Sequence, residues 1–253
     1  QEHLTAIRSP VYAGLGACGQ FLYLEDGIPI RPAGFCNINN LFEVNSEQAG
    51  GIEVWCGPAS AVLGGNALRG ALNFLTPAPA GRRLSLEGGP YDFYRLAAEL
   101  SFEQGGHSLG VAANGMSTNG WRDHTGYDQQ KLSLLHGTDL GRWQVRNTLH
   151  LTQLNQDTGA FVSGFQAYKD SGLRRSNPSP DSYRDAWSLR AASHWTSAGW
   201  TVAPYARRSW MEFLQHFIPG QPVEENDQTS AGLMLGRHWE GARHTVDLGA
   251  QVE

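Results

Sequence analysis

The stretch "WRDHTGYD" gathers Asp123, His124 and Asp128, oxygen and nitrogen donors close enough in sequence to suggest a metal cluster. Its setting favours a plainer reading, because it lies between two segments of alternating hydrophobicity, where a solvated polar loop tip is expected. No other stretch announces chemistry. There is no His-Glu-x-x-His, no Gly-x-Ser-x-Gly, no phosphate loop and no pair of acids at helical spacing. The chain is therefore expected not to be an enzyme, and to need no cofactor and no metal. Its three cysteines, Cys18, Cys36 and Cys56, show neither Cys-x-x-Cys nor zinc-finger spacing. Cys18 and Cys36 flank a strand and turn; in an oxidising compartment a bridge between them would contribute roughly 3 kcal/mol by chain entropy. Two unpaired buried thiols are the alternative. Cys56 is the odd one either way.

The elements around these residues come from composition and period. Only 17% of residues are charged while glycine numbers 31 of 253, a balance that leans towards short strands and turns. The formal net charge of −5 comes with no basic block, so nucleic acid is not an expected partner. No apolar run approaches the roughly 20 residues of a membrane-crossing helix, so any membrane role must come from strands. The first ten residues lack the charged and apolar regions of an export signal.

Beyond "TPAPAGRR" the chain alternates with period two. Tyr94, Leu96, Ala98, Leu100 and Phe102 share one face of a strand; Arg95, Ala97, Glu99 and Ser101 share the other. Trp143, Val145, Leu149 and Leu151 oppose Gln144, Arg146, Thr148, His150 and Thr152 in the same way. So do Trp187, Leu189, Ala191 and Trp195 against Ser188, Arg190 and His194, and Val246, Leu248, Ala250 and Val252 against Thr245, Asp247 and Gln251. About nine such strands are predicted, starting near Arg82, Tyr94, His107, Gln129, Arg142, Asp185, Trp200, Gln228 and Arg243, most of them about 9 to 13 residues long, the length of a tilted membrane-crossing strand. Short connections alternate with longer ones, so one rim should carry tight turns and the other long loops, as outer-membrane barrels do. Trp143, Trp195, Trp200 and Trp239 sit beside the short turns, where an aromatic girdle would lie; the alternative places them in the core of a soluble sheet.

The earlier part reads differently: a short strand from Phe21 to Leu24, an Asp26-Gly27 turn, a strand ended by Gly57-Pro58, and a last strand from Ala71 to Leu75. Here a resemblance becomes specific. "LEDGIPI" followed by "IEVWCGPASAVLGGNALRGALNFLT" resembles the plug domain of TonB-dependent outer-membrane receptors. Asp26, Gly27, Ile28 and Pro29 match its first motif; Ile52, Glu53, Val54, Gly57, Pro58, Ser60, Gly64, Ala67, Gly70, Asn73 and Thr76 match its second. Two positions depart from the pattern. The family's arginine before Gly-Pro, a member of a polar network between plug and barrel, is Cys56 here, and its Leu-Tyr before Gly64 is Val62-Leu63. The "GAC" and "GFCNIN" stretches further resemble the ferric-citrate and related siderophore branch.

The resemblance implies an all-β-dominated chain: a partial plug with a small mixed sheet over residues 1–80, then about nine antiparallel strands of an incomplete transmembrane barrel over residues 81–253. The family barrel has about 22 strands around a plugged lumen, so the chain is expected to be an internal fragment or truncated product that alone is insoluble or detergent-dependent. It implies energy-coupled uptake of an iron-siderophore or similar scarce nutrient across the outer membrane. The implied partners are a ferric chelate or other small ligand, outer-membrane lipid, and a TonB-type coupling protein whose docking box is absent from this chain. Ligand contacts are expected from Arg31, Phe35 and Asn37 near the plug apex and from Gln166, Tyr168, Lys169, Arg174 and Arg175 in the long loop, arginine offering permanent bidentate charge to anionic chelates. Arg174 and Arg175 read equally as exposed loop charges or lipopolysaccharide contacts. Two other functions fit less of the sequence: a passive porin-like or structural barrel, and a soluble all-β carbohydrate-binding module.

Overall fold

The computed structural model describes residues 6–7, 20–32, 40–59, 63–77 and 81–253. Phe35, Asn37, Ser60, Cys18 and Cys36 lie outside the described residues.

The smaller of two sheets holds β1 (Phe21–Glu25), β2 (Ile28–Pro29), β3 (Gly51–Cys56) and β4 (Gly70–Leu75) in the order β2-β1-β4-β3. β1 runs parallel to β4 and antiparallel to β2, and β3 runs antiparallel to β4, so the sheet is mixed. The unbroken apolar run in β1 follows from its central place, since both its faces are covered. Phe21 and Tyr23 pack with Ile30, Val44 and Phe74 on one side; Leu22 and Leu24 pack with Ala59, Ala67 and Ala71 on the other. Asp26 and Gly27 both have positive φ, 50° and 84°, as a tight hairpin turn demands.

The larger sheet is an up-and-down run of nine antiparallel strands, β5 (Arg82–Gly89), β6 (Phe93–Gln104), β7 (His107–Thr118), β8 (Tyr127–Leu140), β9 (Trp143–Asp157), β10 (Tyr183–Ser197), β11 (Trp200–Leu214), β12 (Val223–Glu240) and β13 (Thr245–Val252), each beside its sequence neighbour. It does not close on itself: among the described residues β5 and β13 remain edges. Several strands outrun the expected length, β9, β10 and β11 reaching 15 residues and β12 reaching 18. In β12 the extra length includes Glu224–Asp227, where both faces are polar and alternation of hydrophobicity carries no signal. The connections 105–106, 141–142, 198–199 and 241–244 gather at one rim, and 119–126, 158–182 and 215–222 at the other. The first connection at the long-loop rim, 90–92, is as tight as those opposite, a departure from the expected alternation.

The register sorts the side chains into two faces. Leu100, Val111, Leu134, Leu149, Ala191, Ala206 and Ala231 are successive cross-strand partners, a continuous apolar row on the outward face. One residue over, Glu99, Ala112, Ser133, His150, Arg190, Arg207 and Ser230 form the matching row facing the small sheet. The apolar row is the exposed one: Leu100 is 41% exposed while His150 and Arg190 are 6% and 7%. A water-soluble protein distributes its residues the other way, so this face fits hydrocarbon as its solvent and does not fit a soluble carbohydrate-binding sheet.

The four tryptophans lie on the outward face at the short-turn rim. Trp143 and Trp195 meet edge to face at 6.4 Å, and the Arg237 guanidinium lies 5.0 Å from the ring of Trp200 and 4.9 Å from that of Trp239. Amphipathic rings in that place suit a membrane-water boundary.

Candidate functional site

The two sheets meet through two apolar anchors and a polar seam. Ile28, from the β1–β2 hairpin, packs on Ala203 and Tyr205; Phe42, from a short 3-10 turn over Asn40–Glu43, packs on Leu154 and Ala186. A 3-10 turn ends with carbonyls that have no partner inside it. Three consecutive ones are taken up by the large sheet. Gln129 Nε2 donates to the Phe42 carbonyl at 3.0 Å, Thr152 Oγ1 and Arg190 Nη2 donate to that of Glu43 at 2.8 Å each, and Lys131 Nζ donates to that of Val44 at 2.8 Å. The donors come from β8, β9 and β10, so a few residues of turn are gripped by three strands.

Beneath this grip lies a buried charge cluster. Arg190 Nε meets Glu25 Oε2 at 3.0 Å and its Nη1 lies 3.6 Å from Glu43 Oε2. Arg31 pairs with Glu43 and its Nη1 donates to Ser209 Oγ at 2.9 Å. Ser133 Oγ and His150 Nδ1 are 2.9 Å apart, which turns His150 Nε2 towards Glu25 at 3.7 Å. The order serine, histidine, carboxylate has the outline of a nucleophilic triad, yet Ser133 is 3% exposed and walled in by the small sheet, so here it orients the imidazole. Two acids thus face two arginines out of water. Burial alone pushes the Glu25 carboxyl up, but the adjoining Arg190 and His150 charges and the Arg190 hydrogen bond outweigh it and hold the pKa below the ordinary carboxylate value.

Towards the short-turn rim the motif residues form their own cluster. Asp26 Oδ1 accepts the Thr76 N–H at 3.0 Å and faces Arg146 Nη2 at 3.1 Å. The Gly27 N–H donates to Asn73 Oδ1 at 2.8 Å, and Asn73 Nδ2 donates to Glu53 Oε2 at 2.9 Å. His194 Nε2 lies 3.2 Å from the Asp26 carbonyl oxygen. On the far flank Arg95 bonds Glu47 Oε2 at 2.9 Å, Asn114 Nδ2 donates to the same oxygen at 2.6 Å, and Gln48 Nε2 donates to the Ala98 carbonyl at 3.1 Å.

This pairing of a small mixed sheet with part of a barrel wall recurs in solved structures. The unliganded ferric citrate transporter FecA is similar with a TM-score of 0.74 at 14% identity, over 93% of this chain and 38% of that one. The siderophore receptor PiuA from Acinetobacter baumannii gives 0.70 at 14%, over 91% and 37%. The pyoverdine outer membrane receptor FpvA from Pseudomonas aeruginosa PAO1, bound to pyoverdine, gives 0.62 at 16%, over 91% and 38%. The fold is that of a TonB-dependent outer-membrane receptor. The chain spans less than two-fifths of the length of these receptors. No protein-family model matches the sequence, and no curated protein matches it.

In receptor terms the small sheet is the plug and the nine strands are wall. Arg31 is plug, but it is 6% exposed and its guanidinium is engaged with Glu43 and Ser209. Cys56 ends β3 as a free, exposed thiol. Gln166, Tyr168, Lys169, Arg174 and Arg175 do come together, on two single 3-10 turns, Ala167–Lys169 and Leu173–Arg175, of the long loop. Tyr168 is 69% exposed with Lys169 Nζ 5.9 Å from its ring, and Arg175 stands 5.6 Å from the Tyr91 ring. The loop is stapled to its neighbour by Arg122, which donates to the Ala160 carbonyl at 2.9 Å, and by the Asp123 N–H bonding the Arg175 carbonyl at 2.8 Å. Asp123, His124 and Asp128 do not converge, and among the described residues no group of three His, Cys, Asp or Glu could hold a metal ion. The residues missed from sequence are the wall donors Gln129, Lys131, Thr152 and Arg190 and the acids Glu25 and Glu43. Polar alternation marks the first four as inward, and nothing local marks them as dry.

Proposed function

We propose that the chain is the plug-and-wall part of an outer-membrane receptor for energy-coupled uptake of a ferric chelate or similar scarce nutrient, with residues 1–80 forming the plug unit and 81–253 the wall unit. The supporting observation is the seam. A passive pore would leave Gln129, Lys131, Thr152 and Arg190 facing water, whereas each is spent on the backbone or the acids of a plug. The grip is built from hydrogen bonds and ion pairs, which can be exchanged one by one for water as the plug shifts, so work delivered from a TonB-type partner can open a path. No bond in the nutrient is made or broken.

At the outer rim, the exposed Tyr168, Lys169, Arg174 and Arg175, with Gln166, suit an anionic chelate, whose carboxylates or catecholates arginine and lysine would pair. Uptake of labelled ferric citrate and ferric siderophores by cells carrying the complete receptor tests both parts. Uptake is expected to vanish when the coupling protein is deleted and to fall about tenfold in the double variant Arg174→Ala, Arg175→Ala, the loss of one strong charged contact. Transport that continues without the coupling protein would return the passive-pore reading, and unchanged uptake by the double variant would remove the two arginines from the site.

A further inference from the structure

One row of the outward face breaks the apolar belt. Phe102, Leu109, His136, Asn147 and Ser193 are successive cross-strand partners, two residues nearer the short turns than the row from Leu100 to Ala231. The three polar side chains are linked to each other and to two neighbours. Trp195 Nε1 bonds Ser193 Oγ at 2.8 Å, Ser193 Oγ bonds Asn147 Oδ1 at 2.6 Å, Asn147 Nδ2 meets His136 Nδ1 at 3.0 Å, and His136 Nε2 meets His107 Nδ1 at 3.0 Å.

The direction of this chain is fixed by its first member. An indole N–H can only donate, so Ser193 accepts it and passes its own hydrogen to Asn147 Oδ1. The Asn147 amide then donates to His136 Nδ1, which places the His136 proton on Nε2 and makes His107 Nδ1 an acceptor. The His107 proton is left on Nε2. Turning the Asn147 amide over would reverse the histidines and strand the Ser193 hydroxyl hydrogen inside the belt, where hydrocarbon offers no acceptor. Each member of the row thereby donates to its neighbour except the last. His107 is exposed and adjoins the Gly105-Gly106 turn, so that last donor emerges at the rim itself.

We propose that His107 Nε2 donates to the headgroup phosphate or ester oxygen of a phospholipid in the periplasmic leaflet, making strands β7 to β10 a fixed lipid site on the wall. On a face solvated by lipid those oxygens are the acceptors at that depth, and the tryptophans beside the row give the acyl chain and glycerol a flat amphipathic bed. The proposal rests on the outer-membrane placement argued above.

The test is native mass spectrometry of the complete receptor extracted from outer membranes, counting retained phospholipid in the parent and in His107→Phe and His107→Gln. Phenylalanine keeps the ring and removes the donor; glutamine keeps a donor. His107→Phe is expected to hold phospholipid about fivefold less tightly, the loss of one hydrogen bond, and His107→Gln to recover most of it. Equal retention in all three, or release of the lipid by inorganic phosphate at millimolar concentration, would overturn the lipid site while leaving the receptor reading intact. Recovery of the receptor outside the outer membrane would overturn both.

Discussion

Arg190 of the wall and Glu25 of the plug meet with Nε and Oε2 3.0 Å apart, although 165 residues separate them in sequence. The contact is one hydrogen-bonded edge of a guanidinium whose other nitrogens reach the Glu43 carbonyl and Ser188 Oγ at 2.8 and 2.9 Å. An arginine so used ties two parts of the plug to one strand of the wall. Replacing it with methionine leaves Glu25 and Glu43 buried beside too little positive charge. Removing one partner of a buried pair costs about 3–5 kcal/mol. The Arg190→Met receptor is expected to lose its plug docking at a markedly lower temperature than the parent, read by protease cleavage of the plug during heating, while the barrel transition stays in place.

The seam has a pH dependence of definite sign. The Glu25 pKa is lowered in the docked state. A depressed carboxylate contributes stability that is fully present above its ordinary value of about 4.5, and this stability is lost as pH falls through the docked-state pKa. Through Glu25, plug docking should therefore be insensitive to pH near neutrality and weaken below about pH 4.5. Comparing the parent with Glu25→Gln from pH 7 to pH 3 checks this. The parent's advantage is expected to shrink on acidification; an advantage that grows would reverse the sign.

Lys131 gives a milder case. Its ammonium donates to the Val44 carbonyl, and Lys131→Met keeps the stem while removing the donor. About 1–3 kcal/mol is expected, the cost of leaving a buried carbonyl unmet. Hydrogen exchange across residues 40–48 should rise accordingly, with exchange in β3 and β4 unchanged.

Gly70 marks where the motif serves geometry. A Cβ there would stand 2.4 Å from the Trp55 carbonyl oxygen, closer than any side chain can sit to backbone. Gly70→Ala must push β3 off β4 at the Cys56–Gly70 pairing. The expected result is a plug that is cleaved by protease at 25 °C while the barrel still assembles and migrates as heat-modifiable in gels.

How much of this was legible beforehand differs from place to place. The face of each wall strand could be read from alternation alone: Leu189 and Ala191 outward, Ser188 and Arg190 inward, because lipid and lumen impose opposite polarity on neighbouring residues. Alternation does not say whether an inward residue meets water or protein, so nothing in the pattern around Arg190 and Lys131 marks them as plug contacts. Their partners, Glu25 and Glu43, lie in a segment whose strands are too short for periodicity and far away in sequence. An arginine near a plug apex suits an anion, and the same permanent charge lets Arg31 balance Glu43 in a dry seam. The start of β12 was placed near Gln228, five residues late, because Glu224, Glu225, Asn226 and Asp227 show no alternation outside the membrane. Pro204 sits inside β11, where a missing N–H is tolerated opposite a gap in the β10–β11 ladder at Ser193 and His194.

Photo-crosslinking from the plug tests the central claim most directly. With a benzophenone amino acid in place of Phe42 in the membrane-embedded complete receptor, irradiation is expected to join position 42 to the wall peptides that hold Leu154 and Ala186, its contacts across the seam. Crosslinks only to lipid, to another chain or to the plug itself would mean that the small sheet does not dock inside these nine strands.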